Sequence, residues 1–307
     1  MPKTEYQRAP RADFVLPFDL PDVGLRGRIV RLDLSSAQAL SAHELPEDAA
    51  RVAGETLALA AILGTSLKLD GRLTVQTKSD GPLDLVAADY FGSRDGAPIG
   101  IRGYARVDKT RLAELTAPVP FETLAGDGVM AITIEPRKDG NTYQGIVELS
   151  PAGVASSAET YFAQSEQLPT VVRLAAVPVF TPGTAAPSWR AGGIMLQATP
   201  EGRGPEDDWE RLSSFLATVE DIELVDLDLP AETLLWRLFH EDETRVLPFE
   251  RIEFRCRCDT SRISAVLKSY APKEREGLAD PDGIIRARCE FCDKTHEIAQ
   301  SELESEP

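Results

Sequence analysis

Four cysteines near the C-terminus are the residues of this 307-residue chain best suited to chemistry. Cys256 and Cys258 form a C-x-C pair, thirty residues intervene, and Cys289 and Cys292 form a C-x-x-C pair. Four thiolates at the corners of a tetrahedron make the closed site that structural zinc prefers. An intervening hairpin can bring two such pairs together, so we expect one Zn²⁺ to be bound by all four cysteines.

The residues beside the two pairs favour the thiolate form. Five of them are basic: Arg255, Arg257, Arg286, Arg288 and Lys294. Zinc with four thiolates carries a net negative formal charge, which these cations would offset. His296 follows the second pair closely and is a rival ligand, but four cysteines already satisfy zinc. His43 and His240 are isolated, and we expect them to fill structural positions.

Two interpretations of the cysteine cluster stay open at this point. Most four-cysteine sites are structural ribbons, and a segment of roughly forty residues needs the folding free energy that zinc binding supplies. However, C-x-x-C is the common form in such ribbons, and C-x-C is unusual. Residues two apart in an extended strand point to the same side, at a Cα separation that a disulfide spans. Redox chemistry at the pairs is therefore the second interpretation.

The N-terminal two thirds of the chain mix strand and helix patterns. Alternation and turn signals predict strands at 26–33, 73–77, 83–90, 99–107, 129–135, 143–148, 171–180 and 193–198. Helices are predicted over 46–69, with Glu47 and Asp48 in the first turn, and over 156–167. This order predicts an α+β fold with a large mixed core rather than a regular βαβ alternation.

An acidic segment follows this core. Between Arg203 and Glu250, fourteen Asp and Glu residues face four arginines. Apolar residues at helical spacing predict one amphipathic helix around Trp209 and a second over 230–239, both of which need tertiary packing to be stable. Four aromatic residues of the segment are candidates for binding a partner: Trp209, Phe215, Trp236 and Phe239.

The changes in composition predict five parts. From Arg255 to His296 the charge balance reverses, with nine basic and seven acidic residues. The predicted parts are a flexible tail 1–12, an α+β core 13–202, an acidic helical linker 203–254, a zinc-binding domain 255–298 and a polar tail 299–307.

Composition also narrows the function classes. The formal net charge of −17 argues against a general nucleic-acid binder, which needs clustered Lys and Arg. The N-terminus lacks the apolar run of a secretory signal, and no stretch reaches the length that spans a bilayer. We therefore expect a cytoplasmic protein without membrane partners, in a compartment where clustered cysteines indicate metal or redox chemistry.

Several segments together resemble one known family, the redox-regulated heat-shock proteins of 33 kDa, also called 33 kDa chaperonins. The C-x-C and C-x-x-C pairs fit the cysteine signature of that family. Further resemblance lies in segments 71–76, 80–82, 161–170, 192–197 and 238–242. The combination covers nearly the whole chain from about Arg26 to His296, while 271–282 and the N-terminal extension match less clearly.

The resemblance implies an ATP-independent holdase chaperone rather than an enzyme, silent while reduced and zinc-bound. The absence of a G-x-x-x-x-G-K-[ST] loop agrees with ATP independence. The resemblance also implies disulfides Cys256–Cys258 and Cys289–Cys292 after oxidation, release of zinc, and a homodimeric active form. Its partners would be unfolded client proteins. Our own hypothesis is that the four aromatic residues of the acidic segment contribute to binding them.

Three other functions compete with this one. A zinc-ribbon module that binds nucleic acid or protein is allowed by the positive balance near the cysteines, and salt-sensitive binding to DNA or RNA would identify it. A thiol–disulfide oxidoreductase would need a thioredoxin-like βαβ context, which the pattern lacks. A hydrolase is least supported, because the three histidines are scattered and no G-x-S-x-G elbow occurs.

Overall fold

A computed structural model describes residues 8–93, 96–137, 140–184, 186–199, 206–271, 274–275 and 277–304. The chain divides into two compact units, Met1–Phe254 and Arg255–Pro307. Residues 1–7 of the predicted flexible tail 1–12 lie outside the described residues. Of its remainder, Ala9 donates its backbone N–H to Glu232 and Arg11 pairs with Asp228. The predicted boundaries of the five parts remain predictions.

The first unit is a mixture of strands and helices. Its strands are β1 Phe14–Leu20, β2 Leu25–Leu32, β3 Gly71–Ser79, β4 Leu83–Phe91, β5 Ile99–Val107, β6 Gly128–Pro136, β7 Tyr143–Glu148, β8 Thr170–Val179, β9 Ser188–Ala198, β10 Arg245–Val246 and β11 Glu250–Phe254. Its helices are α1 Leu34–Ser41, α2 Glu47–Ser66, α3 Lys109–Ala113, α4 Phe121–Ala125, α5 Val154–Tyr161, α6 Glu206–Ala217, α7 Asp221–Val225 and α8 Ala231–Phe239. The predicted α+β class is confirmed.

One large sheet organises this unit. The strand order is β7-β6-β3-β4-β5-β11-β1-β2-β9-β8, and β10 also pairs with β1. Neighbours are antiparallel except β11 and β5, which are parallel. The short strand β11 therefore joins the half of the sheet that contains β1 to the half that contains β5. Because β11 is the last element before the cysteines, the end of the acidic segment is built into the sheet.

Helix α2 fills the centre of the first unit. The predicted helix over 46–69 is confirmed as Glu47–Ser66, with Pro46 as its N-cap residue and Glu47 and Asp48 in the first turn. Alanines and leucines along it are buried nearly all round, which is the pattern of a core helix rather than a surface helix. It packs against β4, β5, β8 and β9, so both halves of the sheet share its apolar surface.

Strand β1 was not predicted, and it contains a proline, Pro17. A proline inside an alternating pattern argues against a central strand, because it cannot donate to the hydrogen-bond ladder. Here Pro17 lies between residues paired with β11 (Phe14 and Val15) and residues paired with β10 (Phe18 and Asp19). The missing N–H thus falls where the strand changes partners, so its cost is small.

The acidic segment packs as part of the first unit. Apolar residues of α6, α7 and α8 join those of β1, β2 and β9 in one buried cluster, with Leu212, Leu216 and Leu235 fully enclosed. The guanidinium of buried Arg31 donates to the carbonyl oxygens of Glu223 (3.0 Å) and Leu229. Both predicted amphipathic helices are confirmed as α6 and α8.

Replacing Glu55 by glutamine is expected to flatten the pH dependence of the first unit. Burial raises the pKa of Glu55 to about 7, repulsion from Asp221 adds to this, and Arg51 opposes it. The folded state therefore binds more protons than the unfolded state between about pH 4.5 and pH 7, and the free energy of unfolding falls as pH rises through that window. Above pH 7 we expect Glu55→Gln to stabilise by about 1–2 kcal/mol.

Urea unfolding followed by tryptophan fluorescence at pH 5 and pH 7.5 measures this effect. All three tryptophans lie before residue 255, so the signal reports the first unit alone. Glu47→Gln, an exposed change in the same helix, is the matched control. An identical pH slope in Glu55→Gln and wild type would rule out this role of Glu55.

In its described residues, the second unit has few complete helices and strands and a very small core. They are α9 Thr260–Lys268, the hairpin β12 Ile284–Arg288 and β13 Thr295–Ala299, and α10 Gln300–Glu304. Four apolar side chains are buried together in its described part: Leu267, Ile285, Ile298 and Leu303. Domains this small usually need disulfides or a metal for stability.

Candidate metal centre

Two local structures position the four cysteines within the second unit. Cys256 and Cys258 precede α9, whose first turn is capped by the Asp259 side chain accepting the backbone N–H of Arg262 at 2.8 Å. Cys289 and Cys292 lie in the turn between β12 and β13. This turn is closed by hydrogen bonds from Cys289 N–H to the Lys294 carbonyl (3.0 Å) and from Asp293 N–H to the Cys289 carbonyl (2.9 Å).

The four sulfur atoms converge on one point. All lie within 4.8 Å of one another. The Sγ atoms of Cys256 and Cys289 are 3.6 Å apart, and those of Cys258 and Cys292 are 3.4 Å apart. Each of these two short distances joins a cysteine of the C-x-C pair to a cysteine of the C-x-x-C pair, so sulfurs of the two pairs lie side by side around a common centre.

The donor set fits zinc. Zn–S bonds of about 2.3 Å in a tetrahedron place neighbouring sulfurs about 3.8 Å apart. The separations of 3.4 and 3.6 Å, and the common limit of 4.8 Å, bracket that value. Four partly buried thiols at tetrahedral spacing can hold a metal ion, and soft thiolates favour zinc among the common ones.

Electrostatics in the cluster also favour a cation. Although burial works against ionisation, hydrogen bonds from Cys258 and the other thiols lower the pKa of Cys256 to about 7. Burial and the neighbouring thiols raise the pKa of Cys258, and burial raises that of Cys292. Ionisation of Cys256 thus opposes ionisation of the neighbouring thiols, because like charges repel at this distance. A divalent cation at the centre would remove that repulsion.

Two of the five basic residues expected to offset the charge of the cysteine cluster form ion pairs of their own. Arg286 forms ion pairs with Asp280, Asp282 and Glu297, and Arg288 pairs with Asp293. These two guanidinium groups therefore serve the hairpin and its turn. The carboxylates offset much of the positive charge of these two side chains.

The three histidines occupy different environments. His296 is only 3% exposed, and its Nε2 lies 3.4 Å from Sγ of Cys258. His43 packs edge-on against the Tyr104 ring, and His240 lies beside the Trp236 ring. Sequence reasoning treated His296 as a rival ligand and missed its contact with a sulfur. The signal was available, because His296 and Ile298 are alternate residues of one strand and share its buried face.

The candidate aromatic residues of the acidic segment differ in exposure. Phe239 is 1% exposed and stacks on Phe18 with ring centroids 5.8 Å apart, whereas Trp236 is 66% exposed. Trp209 and Phe215 are partly buried against the same apolar cluster. Trp209 also lines an open cavity of about 580 Å³ with residues of the 159–170 segment. A role in binding clients remains a prediction for all four.

A profile of the family described as "Hsp33 protein" matches residues 13–299, which is nearly the whole chain. The chain belongs to the Hsp33 family. Its curated relatives include the 33 kDa chaperonin of Caulobacter vibrioides, 39% identical over 292 residues that cover 93% of this chain and 94% of the relative. The 33 kDa chaperonin of Escherichia coli is 33% identical over 283 residues, covering 92% and 91%.

A solved structure shares the fold. The 33 kDa chaperonin of Thermotoga maritima, an Hsp33 homologue, superimposes with a TM-score of 0.78 at 22% identity, covering 95% of this chain and 97% of the other. Membership of the Hsp33 family, with relatives named 33 kDa chaperonin, supports a chaperone function for this chain. Among the helices in the described ranges, none has the length and apolar character needed to cross a bilayer.

Proposed function

We propose that this Hsp33 protein is a redox-regulated, ATP-independent holdase, inactive while reduced and zinc-bound and active after its cysteines are oxidised. The observation that supports it most is the convergence of four thiols within 4.8 Å in a unit whose apolar core is so small. Cys256, Cys258, Cys289 and Cys292 would hold one Zn²⁺. When bound, zinc would supply the positive charge that lets four thiolates coexist and so stabilise residues 255–298.

The proposed oxidation uses peroxide or hypochlorous acid. A thiolate attacks a peroxide oxygen, forming an S–O bond as the O–O bond breaks and hydroxide leaves. A second thiolate then attacks the sulfenic sulfur, forming the S–S bond and releasing another hydroxide. Each pair of thiolates thus gives two electrons to one peroxide and becomes a disulfide, and the two hydroxides take up protons from the solvent to become water. We assign the disulfides to Cys256–Cys258 and Cys289–Cys292, and disulfide sulfurs would no longer retain the metal.

Unfolding of the chain after residue 255 would destabilise the packing of the acidic segment. Strand β11 ends at Phe254, two residues before Cys256, and it joins the two halves of the large sheet. We infer that without a folded C-terminal unit the linker 203–254 separates from the core 13–202. Apolar surface on both would then bind clients, including that of Trp209, Phe215, Trp236 and Phe239. The acidic charge would keep this state soluble.

The oxidised protein acts as a homodimer. It binds aggregation-prone proteins in the cytoplasm rather than nucleic acids or membranes. The net charge of −17 supports the exclusion of nucleic acid. Salt-sensitive binding to DNA or RNA would favour the zinc-ribbon alternative instead.

Treatment with peroxide at mildly elevated temperature is expected to switch the protein on. The reduced protein should not slow light scattering by a chemically denatured client, and the oxidised protein should suppress it at near-stoichiometric amounts. Reduction with dithiothreitol and added zinc should restore the inactive form. If oxidation consumes the thiols and the metal leaves, but aggregation is not suppressed, the switch mechanism is wrong.

A further inference from the structure

The buried imidazole of His296 lies next to the four cysteines. His296 is on β13, where it pairs with Ala287 of β12, and its side chain lies on the same face as the core residue Ile298. Its exposure of 3% leaves little room for water at the ring. A buried imidazole needs a partner for each ring nitrogen, because an unpaired polar group is costly there.

Both ring nitrogens have partners. Nε2 lies 3.4 Å from Sγ of Cys258, and Nδ1 lies 3.1 Å from Oγ1 of Thr260. Thr260 lies 36 residues earlier in the chain, at the start of α9, and Cys258 lies 38 residues earlier, just before that helix. The ring thus connects the arm that carries the C-x-C pair to the hairpin that carries the C-x-x-C pair.

The chemistry of the partners fixes the tautomer. With the metal bound, Cys258 would be a thiolate, which can only accept a hydrogen bond, so Nε2 would carry the hydrogen and donate it to Cys258. Nδ1 is then a lone pair, which accepts the hydroxyl hydrogen of Thr260. Each of the two hydrogen bonds, from the Thr260 hydroxyl to the imidazole and from the imidazole to the Cys258 sulfur, then has one donor and one acceptor. A hydrogen bond to a ligand sulfur stabilises its anionic form and orients it, as outer-shell contacts do at metal sites.

We propose that His296, backed by Thr260, is a positioning residue of the cysteine cluster: its Nε2–H donates to Cys258 and strengthens retention of the metal in the reduced state. This inference rests on the proposed function, because it assumes a metal held by the four thiolates. His296 acts through Cys258 and is not itself a ligand. Outer-shell partners of this kind typically change metal affinity by about 10–100-fold.

Two pairs of variants test the hydrogen bond. His296→Phe keeps an aromatic ring in the core but removes both nitrogens, whereas His296→Gln keeps an N–H donor. Thr260→Val removes the hydroxyl from an exposed position at the start of α9, and Thr260→Ser keeps it. Because Thr260 is exposed, its substitutions test the contact even if His296→Phe disturbs folding of the hairpin.

Zinc affinity, measured by competition with a chromophoric chelator on the reduced full-length protein, is the main readout. We expect a loss of about 10–100-fold for His296→Phe, a smaller loss for Thr260→Val, and values near wild type for Thr260→Ser. His296→Gln should lie between wild type and His296→Phe. Affinities within twofold of wild type for both His296→Phe and Thr260→Val would overturn the proposal.

Cobalt spectra separate positioning from ligation. Co²⁺ substituted into wild type and His296→Phe should give the same tetrahedral four-sulfur spectrum. A change of the ligand-field bands in the variant would show that His296 is a ligand, which also overturns the proposal. If wild type binds no zinc, the proposed function fails; if wild type binds and releases zinc but these variants match it, only the role of His296 fails.

Discussion

Replacing Cys256 by serine is expected to weaken zinc binding by roughly 10²–10³-fold and to leave residues 255–304 unfolded at ordinary zinc concentrations. Structural zinc contributes an apparent 10–16 kcal/mol or so to folding of small domains, and one of four thiolates represents about a quarter of that. The four buried apolar side chains in the described part of the second unit offer little to compensate. Competition with a chelator and limited proteolysis of the C-terminal unit measure the two effects.

The same variant is expected to suppress client aggregation without any oxidant, because the metal that maintains the inactive form is lost. Thr295→Ser, an exposed conservative change on β13, is the matched control and should keep wild-type affinity and silence. A Cys256→Ser protein with wild-type zinc affinity would remove Cys256 from the ligand set. One that loses zinc and yet remains inactive would separate metal release from activation.

Truncating Phe239 to alanine is expected to loosen the acidic segment by about 3–5 kcal/mol, the usual cost of a buried phenylalanine. Its ring is enclosed between α8 and β1 and stacks on Phe18. If packing against the core keeps the segment from clients, this variant should show antiaggregation activity while still reduced. Metal affinity should change much less than in Cys256→Ser, because the four metal-binding thiols all lie after residue 255 and are retained.

Trp236→Ala is the informative comparison, since it removes a larger aromatic ring from the same helix at a site that is 66% exposed. We expect a change in stability within about 0.5 kcal/mol and no activity in the reduced form. Lower client capacity after oxidation would place Trp236 on the binding surface. Hydrogen exchange of 206–254 with aggregation assays measures both variants. A Phe239→Ala protein with a destabilised segment that stays silent would contradict release of the segment as the activating event.

Local patterns predicted much of this structure. Strands β2 to β9 were found because alternation has a period of two residues and needs no knowledge of partners. The cysteine cluster was predicted because residue type and spacing alone restrict four thiolates to a few sites. Helices α6 and α8 were found from their apolar spacing, although the residues that cover them are far away in sequence.

The features that the sequence did not predict depend on contacts between residues far apart in the chain. Strand β11 has five residues in a charged context, and only its partners β1 and β5 show that it is a strand. Strand β1 tolerates Pro17 because β10 and β11 share one side of β1 and Pro17 lies between their paired residues, which the local sequence does not reveal. The contact of His296 with Cys258 needs the register of β12 and β13 together with the placement of α9, which no local pattern contains.

Hydrogen exchange of residues 255–304, measured while zinc is titrated into reduced protein stripped of metal, tests most directly whether a metal holds the C-terminal unit folded. We predict that amides of β12, β13 and α9 become protected in proportion to zinc bound, reaching a plateau at one zinc per chain with all four thiols reduced. Full protection of these amides in the metal-free protein, with no change on adding zinc, would contradict the account.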